Sequence, residues 1–198
     1  MRVRFSVHPL AAAGIFVLCA VMTPAAAYGA VFAVTLHEAA HLIAGRAVGL
    51  SLCGVMLTPF GISFEMSAPR SYGEQIFVSA AGPFVNLATC ALVLSGIFPE
   101  SAALRELFLF SLLLSALNLL PIRSLDGGAV LGGICALLFG AEISERVVDV
   151  TGAASLALIW MTGVYIFFYS AENAALFAFA AFMFASVVFK SEKKRNIT

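Results

Sequence analysis

The stretch AVTLHEAAHLIAG places two histidines and a glutamate within an otherwise apolar sequence. Side chains four residues apart lie on the same face of a helix, so His37 and His41 can reach one metal ion. Glu38 is rotated by about a third of a turn from His37, where it can act on a water at that ion. The alternative is that both histidines are interior polar groups bonded across helices, and the pattern also occurs by chance. The pattern predicts a general base and two of the ligands of a catalytic metal site.

A catalytic zinc site needs a third protein ligand and an open position for water. The candidate is Asp126 in NLLPIRSLDGG, where Pro121 and two glycines interrupt an apolar region and favour unwound backbone. Unwound backbone at membrane depth is tolerated where it lines protein or a wet cavity. The alternative is a cytoplasmic turn in which Asp126 caps the next helix. His8 lies at the edge of the first apolar run and is not counted as a ligand.

Composition identifies the environment of these residues. Of the 198 residues, 62% are hydrophobic and 11% are charged, whereas soluble domains are roughly 25% charged. The net charge of zero and the lack of a basic stripe predict no nucleic-acid partner. The four cysteines form no C-x-x-C pair and are interpreted as small apolar residues.

The uncharged runs predict an all-α polytopic membrane protein with about six transmembrane helices. Residues 1–198 are expected to form a single transmembrane domain without a separate soluble domain. The fourth helix is expected to be broken. The predicted spans are residues 9–27, 29–48, 75–97, 103–122 continuing as 127–140, 148–171 and 173–189.

The basic residues predict that both termini are cytoplasmic. Arg105 is the one exception to the bias. The alternative for the first span is a signal peptide cleaved near Ala25, and we favour a retained helix because the second span follows almost immediately. The basic residues that fit the bias are Arg2, Arg4, Arg46, Arg70, Arg123, Arg146, Lys190, Lys193, Lys194 and Arg195.

The segment between the second and third spans is too polar and broken to cross a membrane. Residues 52–58 and 62–66 are rich in apolar and β-branched side chains, and Pro59 and Gly61 separate them. We expect a short β-hairpin at the membrane surface. An exposed strand edge is a common means of holding an extended peptide.

HEAAH followed by NLLPIRSLDGG closely resembles the site-2-type intramembrane zinc metalloproteases, whose signature pairs H-E-x-x-H with N-x-x-P-x-x-x-x-D-G. AGPFVN (residues 81–86) resembles a third motif of that family. VHPL and LTPFG resemble its compact bacterial subgroup, which includes the stage IV sporulation protease. Arg123 and Ser124 depart from the aromatic residue and second proline that the subgroup often has before the aspartate.

The resemblance implies that His37, His41 and Asp126 bind Zn²⁺ and that Glu38 acts on the water. It also implies that Asn118 orients the substrate or the developing oxyanion and that Asn86 supports the site or the substrate. The expected reaction is hydrolysis of a peptide bond in or near a transmembrane segment of a membrane protein, such as a membrane-tethered regulator. The expected location is the bilayer of a bacterial inner membrane.

Two other functions stay open. A transmembrane carrier of divalent metals can also place this motif on a helix, but it needs a second metal-rich helix. A non-catalytic relative that only binds membrane clients is expected to have lost the glutamate, and Glu38 is present.

Overall fold

The chain is mostly helical and carries one small sheet. The structure is a computed structural model that describes residues 4–7, 11–12, 16, 20, 22–58 and 61–170. Five helices have defined bounds over these residues: α1 Pro24–Ala47, α2 Tyr72–Leu94, α3 Ala102–Asn118, α4 Asp126–Phe139 and α5 Ala141–Ser170. The strands are β1 Arg4–Val7, β2 Leu52–Thr58 and β3 Gly61–Met66.

Helix α1 begins five residues earlier than the second predicted span. The hydroxyl of Thr23 accepts a hydrogen bond from the amide of Ala26 at 3.2 Å, and Pro24 occupies the first helical position. This pairing of a threonine cap with proline favours a helix start, because proline has no backbone N–H that would be left without a hydrogen-bond partner. The helix ends at Ala47, and Gly49 then turns the chain at a φ of 79°.

Three of the described helices are long and apolar enough to cross a membrane, namely α1, α2 and residues Ala141–Tyr165 of α5. Large apolar side chains such as Phe84, Leu94 and Met161 are more than 70% exposed, as expected of surfaces that face lipid. The chain is thus an integral membrane protein. The predicted count of six spans is not tested, because nine of the 19 residues of the first predicted span and all of residues 173–189 lie outside the described residues.

The expected interruption between residues 122 and 127 corresponds to a longer non-helical segment. Helix α3 ends at Asn118 and α4 starts at Asp126. The two glycines after Asp126 pack directly on this segment. A Cβ on Gly127 would lie 2.6 Å from the carbonyl oxygen of Leu120, and one on Gly128 would lie 2.8 Å from the amide nitrogen of Arg123. Only glycine permits this approach, so the start of α4 is fixed against the segment.

The sheet contains the expected hairpin and one additional strand. Strands β2 and β3 pair antiparallel with Val55 opposite Phe64, and β1 pairs with β2 in parallel. Strand β1 was not predicted, because all four of its side chains are exposed and leave no alternating pattern of burial. The order β1-β2-β3 leaves β3 at an edge. That edge lies beside α1, where a Cβ on Gly45 would lie 2.6 Å from Cε of Met66.

Helix α2 lies at the centre of the described helices, since it packs against α1, α3 and α4. Its contact with α3 is tight: Pro83 and Asn86 on α2 and Ser111 and Ser115 on α3 are all fully buried. Helix α1 also approaches α3 closely at Gly29, where a Cβ would lie 2.8 Å from the backbone of Glu106. Small residues at these crossings allow close helix packing in a bilayer.

Candidate metal centre

His37, His41 and Asp126 meet between α1 and α4. The Oδ2 atom of Asp126 lies 3.1 Å from Nε2 of His37 and 3.3 Å from Nε2 of His41, and the two Nε2 atoms are 3.1 Å apart. His37 is buried, and the other two residues are partly buried. The i, i+4 spacing aligns the histidines on α1, and the segment before α4 brings in a carboxylate 89 residues from His37.

The Nδ1 atom of His41, which faces away from the cluster, determines which tautomer the ring adopts. Its Nδ1 lies 2.7 Å from the carbonyl oxygen of Val78, which can only accept, so Nδ1 carries the proton. The Nε2 atom of the neutral ring then presents a lone pair towards the Asp126 carboxylate. Lone pairs that face one another in this way are satisfied by a metal ion or by a proton between them.

The spacing of the three atoms fits zinc. Zinc binds nitrogen and oxygen ligands at about 2.0–2.1 Å, so two corners of its tetrahedron are roughly 3.3–3.4 Å apart. The observed separations of 3.1–3.3 Å agree with that value. Three protein ligands leave one position for water or substrate, as in catalytic zinc sites.

Gly82 on α2 leaves the space that both imidazoles occupy. A Cβ at this position would lie 2.7 Å from Cε1 and Nε2 of His37 and closer still to Nε2 of His41. No side chain larger than hydrogen fits there without moving a ring. The absence of a side chain at residue 82 therefore leaves room for both histidines of the candidate metal centre.

Pro83, the next residue, interrupts the hydrogen bonds of α2 close to the carbonyl that contacts His41. Proline within a helix has no N–H to donate, and its ring pushes away the carbonyl four residues earlier, here that of Ser79. The neighbouring carbonyl of Val78 accepts the bond from His41. Such a partner on the far nitrogen fixes the tautomer and ring orientation of a metal-binding histidine.

Asn86, predicted to support the site, is fully buried next to His37. Its Nδ2 lies 3.4 Å from Nδ1 of His37, while its Oδ1 has no hydrogen-bond partner among the described residues. Turning the amide over gives Oδ1 a donor, namely the protonated Nδ1 of His37, and leaves Nε2 of His37 free to bind metal. His37 then has the same arrangement as His41, with its Nδ1 atom bonded to a residue of α2.

Asp126 does not cap α4 with its side chain. The residue that precedes the helix is Leu125, which makes no side-chain capping bond, and Asp126 is the first helical residue. Its carboxylate points instead at the two histidines. Of the two interpretations that the sequence left open, this geometry favours the ligand.

Glu38 lies at the boundary between α1 and the sheet. Its Oε2 accepts a hydrogen bond from the backbone amide of Phe64 on β3 at 3.3 Å. The carboxylate therefore lies between the metal cluster and the edge strand of the sheet. A general base in this place can address a water or a substrate that enters between the two.

Asn118 is not joined to the cluster by any hydrogen bond within the described part of the chain. It is the last residue of α3, and its Nδ2 donates to the carbonyl of Leu114 at 3.0 Å. Its assignment to the substrate or oxyanion stays a prediction. His8 lies outside the described residues.

Three contributors to the site were missed by sequence reasoning: the carbonyl of Val78, the space at Gly82 and the amide of Phe64. Two are backbone groups, which have no signal in the residue type. Gly82 does carry a signal, because a glycine followed by proline within an apolar helix marks a place of close approach.

Comparison of folds confirms the resemblance noted from the sequence. The solved structure of the Site-2 Protease from Methanocaldococcus jannaschii superposes with a TM-score of 0.67, covering 89% of this chain and 85% of that one at 20% identity. This chain therefore has the fold of a site-2 protease.

A sequence relative points the same way. A zinc metalloprotease of Methanocaldococcus jannaschii is 30% identical to this chain over 134 residues, which is 65% of this chain and 39% of that protein. No family model matches the chain.

Proposed function

We propose that this chain is an intramembrane zinc metalloprotease that hydrolyses a peptide bond in or near a transmembrane segment of a membrane protein. The observation that carries the proposal is the convergence of His37, His41 and Asp126 beside Glu38. The site-2 protease fold and the similarity to a zinc metalloprotease support it. Zinc held here supplies Lewis acidity, which polarises the scissile carbonyl and lowers the pKa of a water to about 7.

The residues of the chain perform the remaining steps. Glu38 takes a proton from the attacking water and passes it to the leaving amine, a role that contributes about 10²–10⁴-fold in rate. Asn86 and the carbonyl of Val78 hold the two imidazoles in the orientation that their role as ligands requires. Asn118 is proposed to donate a hydrogen bond to the oxygen on which negative charge develops.

The depth of the site supports a membrane substrate. His37 lies ten residues before the end of α1, about 15 Å along a helix whose 24 residues span about 36 Å. A hydrocarbon core is about 30 Å thick, so a helix α1 centred in the bilayer would hold the cluster within it. We place both termini in the cytoplasm of a bacterial cell and the site in the inner half of its inner membrane. A membrane-tethered regulator is the substrate class that fits.

The edge of β3 supports an extended form of the substrate. Ile62 and Phe64 are two residues apart, and the amide of Phe64 points away from β2 towards Glu38. Backbone groups two residues apart point the same way, so Ile62 and Phe64 can both bond to an added strand. A helical peptide bond is hidden within its own turn, and pairing with this edge stabilises the unwound segment.

Neither of the other two candidate functions has an observation in its favour. A metal carrier needs further ligands along a route, and among the described residues His37, His41 and Asp126 form the one group of this kind. A non-catalytic binding protein has no need of a carboxylate at residue 38.

The test is cleavage of a labelled single-span membrane substrate by purified protein in lipid nanodiscs. Glu38→Gln is expected to lower the rate by at least 10²-fold with its zinc content unchanged, because the ligands are intact. Glu65→Gln is the matched control, since the Glu65 carboxylate faces Arg4 at 3.9 Å instead of the cluster. Cleavage by Glu38→Gln at the wild-type rate would show that the role of Glu38 is wrong.

A further inference from the structure

The backbone amide of Phe64 has two possible partners. In the structure it donates to Oε2 of Glu38. It is also one of the groups on the edge of β3 that pairs with no other described strand and with which an extended substrate would pair, because Phe64 lies opposite Val55 and its amide is directed away from β2. One N–H cannot fully satisfy both acceptors.

We propose that the edge of β3 restrains the general base until a substrate strand replaces it. Without substrate, the amide of Phe64 holds the Glu38 carboxylate. An extended peptide that pairs with β3 takes this N–H with one of its carbonyl oxygens, and the released carboxylate becomes available to the water. This inference rests on the proposed protease function and adds regulation of its base by the substrate backbone.

The surroundings of β3 support an exchange of partners. Glu38 and Phe64 are both only partly buried, so a peptide can reach the contact. The contact is long, at 3.3 Å, for an N–H···O bond, which is ordinarily about 2.7–3.2 Å. Two residues after Phe64, Met66 packs over Gly45 of α1. This contact keeps β3 in place when Glu38 is released.

Competition for one amide has a signature in binding that does not depend on cleavage. If a peptide must displace Glu38, then removing the carboxylate must strengthen peptide binding. A residue that merely supports the fold has the opposite effect or none. The probe is an uncharged, end-capped peptide of alternating valine and threonine, about eight residues long, which is a typical strand length.

The experiment measures the affinity of this peptide for the full chain in nanodiscs by calorimetry, with mass spectrometry to verify that the peptide is intact. Glu38→Ala is expected to bind it about tenfold more tightly than wild type, since a bond to a charged group is lost from the free state only. Glu65→Ala, which removes the carboxylate that lies 3.9 Å from Arg4, is expected to bind as wild type does. A peptide N-methylated at every residue has no edge left that can pair with a strand and is expected to bind neither protein.

Glu38→Gln separates charge from hydrogen bonding, because glutamine is neutral but still accepts from Phe64. It is expected to bind the peptide less tightly than Glu38→Ala. Equal strengthening by the two variants would attribute the effect to charge alone and overturn the proposal. So would a Glu38→Ala variant that binds no more tightly than wild type.

Replacing the amide itself completes the test. Phenyllactic acid in place of Phe64 exchanges the N–H for oxygen, and peptide binding is then expected to be weaker and insensitive to Glu38→Ala. The corresponding hydroxy acid at Ile62 removes an edge donor that does not contact Glu38, so binding should weaken but still respond to Glu38→Ala. Sensitivity that persists in the Phe64 ester contradicts the proposal. A chain that cleaves substrate but shows no competition keeps the proposed function and loses this inference.

Discussion

At the scale of single residues, the site depends as much on its helix neighbours as on its ligands. The sequence predicted His37 and His41 from their spacing alone, because the period of a helix fixes their common face. Asp126 is 89 residues away from His37, and spacing cannot bring two distant segments together. It was reached through its expected depth in the membrane and through the resemblance. The space at Gly82 was not foreseen, since it is a property of two packed helices.

Gly82→Ala is the residue-scale prediction. The added methyl overlaps both imidazoles, so we expect zinc affinity to fall by about tenfold or more while helix content is unchanged. Zinc affinity is measured by competition with a chromogenic chelator, and helix content by circular dichroism.

Gly73→Ala is its control on the same helix, because a Cβ there would come no closer than 3.8 Å to another atom. The role of Gly82 is refuted if the two variants bind zinc equally well.

At the scale of elements, the buried face between α2 and α3 carries polar groups that composition cannot place. The hydroxyl of Ser115 donates to the carbonyl of Pro83 at 3.1 Å, and both residues are fully buried. Ser111 lies one turn earlier on α3 and is equally buried, but its hydroxyl has no partner among the described residues. The two serines look alike in the sequence and differ in the structure.

These two serines give a matched prediction for stability. Ser115→Ala is expected to lower the free energy of unfolding by about 1 kcal/mol, because it breaks a buried hydrogen bond. Ser111→Ala is expected to be neutral or slightly stabilising, since it removes an unsatisfied polar group.

Unfolding in mixed micelles of increasing denaturing detergent measures both variants. Equal losses would mean that the bond to Pro83 contributes nothing measurable.

The helices themselves were largely predictable, whereas their ends were not. Apolar runs located each described helix, because a span through lipid must be apolar along its whole length. The start of α1 was placed five residues late, since the capping pattern at Thr23 and Pro24 lies inside an apolar region and was assigned to the preceding span. Strand β1 has four exposed side chains, so its sequence shows no alternation of buried and exposed residues from which a strand could be predicted.

At the scale of the whole molecule, one ion would join the two halves of the chain. His37 and His41 are on α1, and Asp126 begins α4, with α2 packed between the two helices. A ligand that binds only the folded state stabilises it by about 4 kcal/mol at a thousand times its dissociation constant.

We therefore expect a chelator to lower the midpoint of thermal unfolding by several degrees. Asp126→Asn, which weakens the third ligand, should unfold near the chelated midpoint and respond little to the chelator. Asp149→Asn changes an exposed carboxylate that pairs with Arg123 at 2.8 Å, and it should respond as wild type does. Scanning fluorimetry with and without chelator provides the measurement, and a midpoint that is indifferent to chelator would argue against a zinc ion that bridges α1 and α4.

Helix α2 provides a bonding partner to each imidazole but no ligand of its own. Its residues therefore tune the basicity and angle of both rings without altering which atoms bind the ion. Engineering that seeks a cobalt or manganese form of this centre can begin on α2, at the neighbours of Val78 and Asn86, and leave the donor set as it is. A small tilt of that one helix, as a thicker or thinner bilayer would impose, reaches both rings at once.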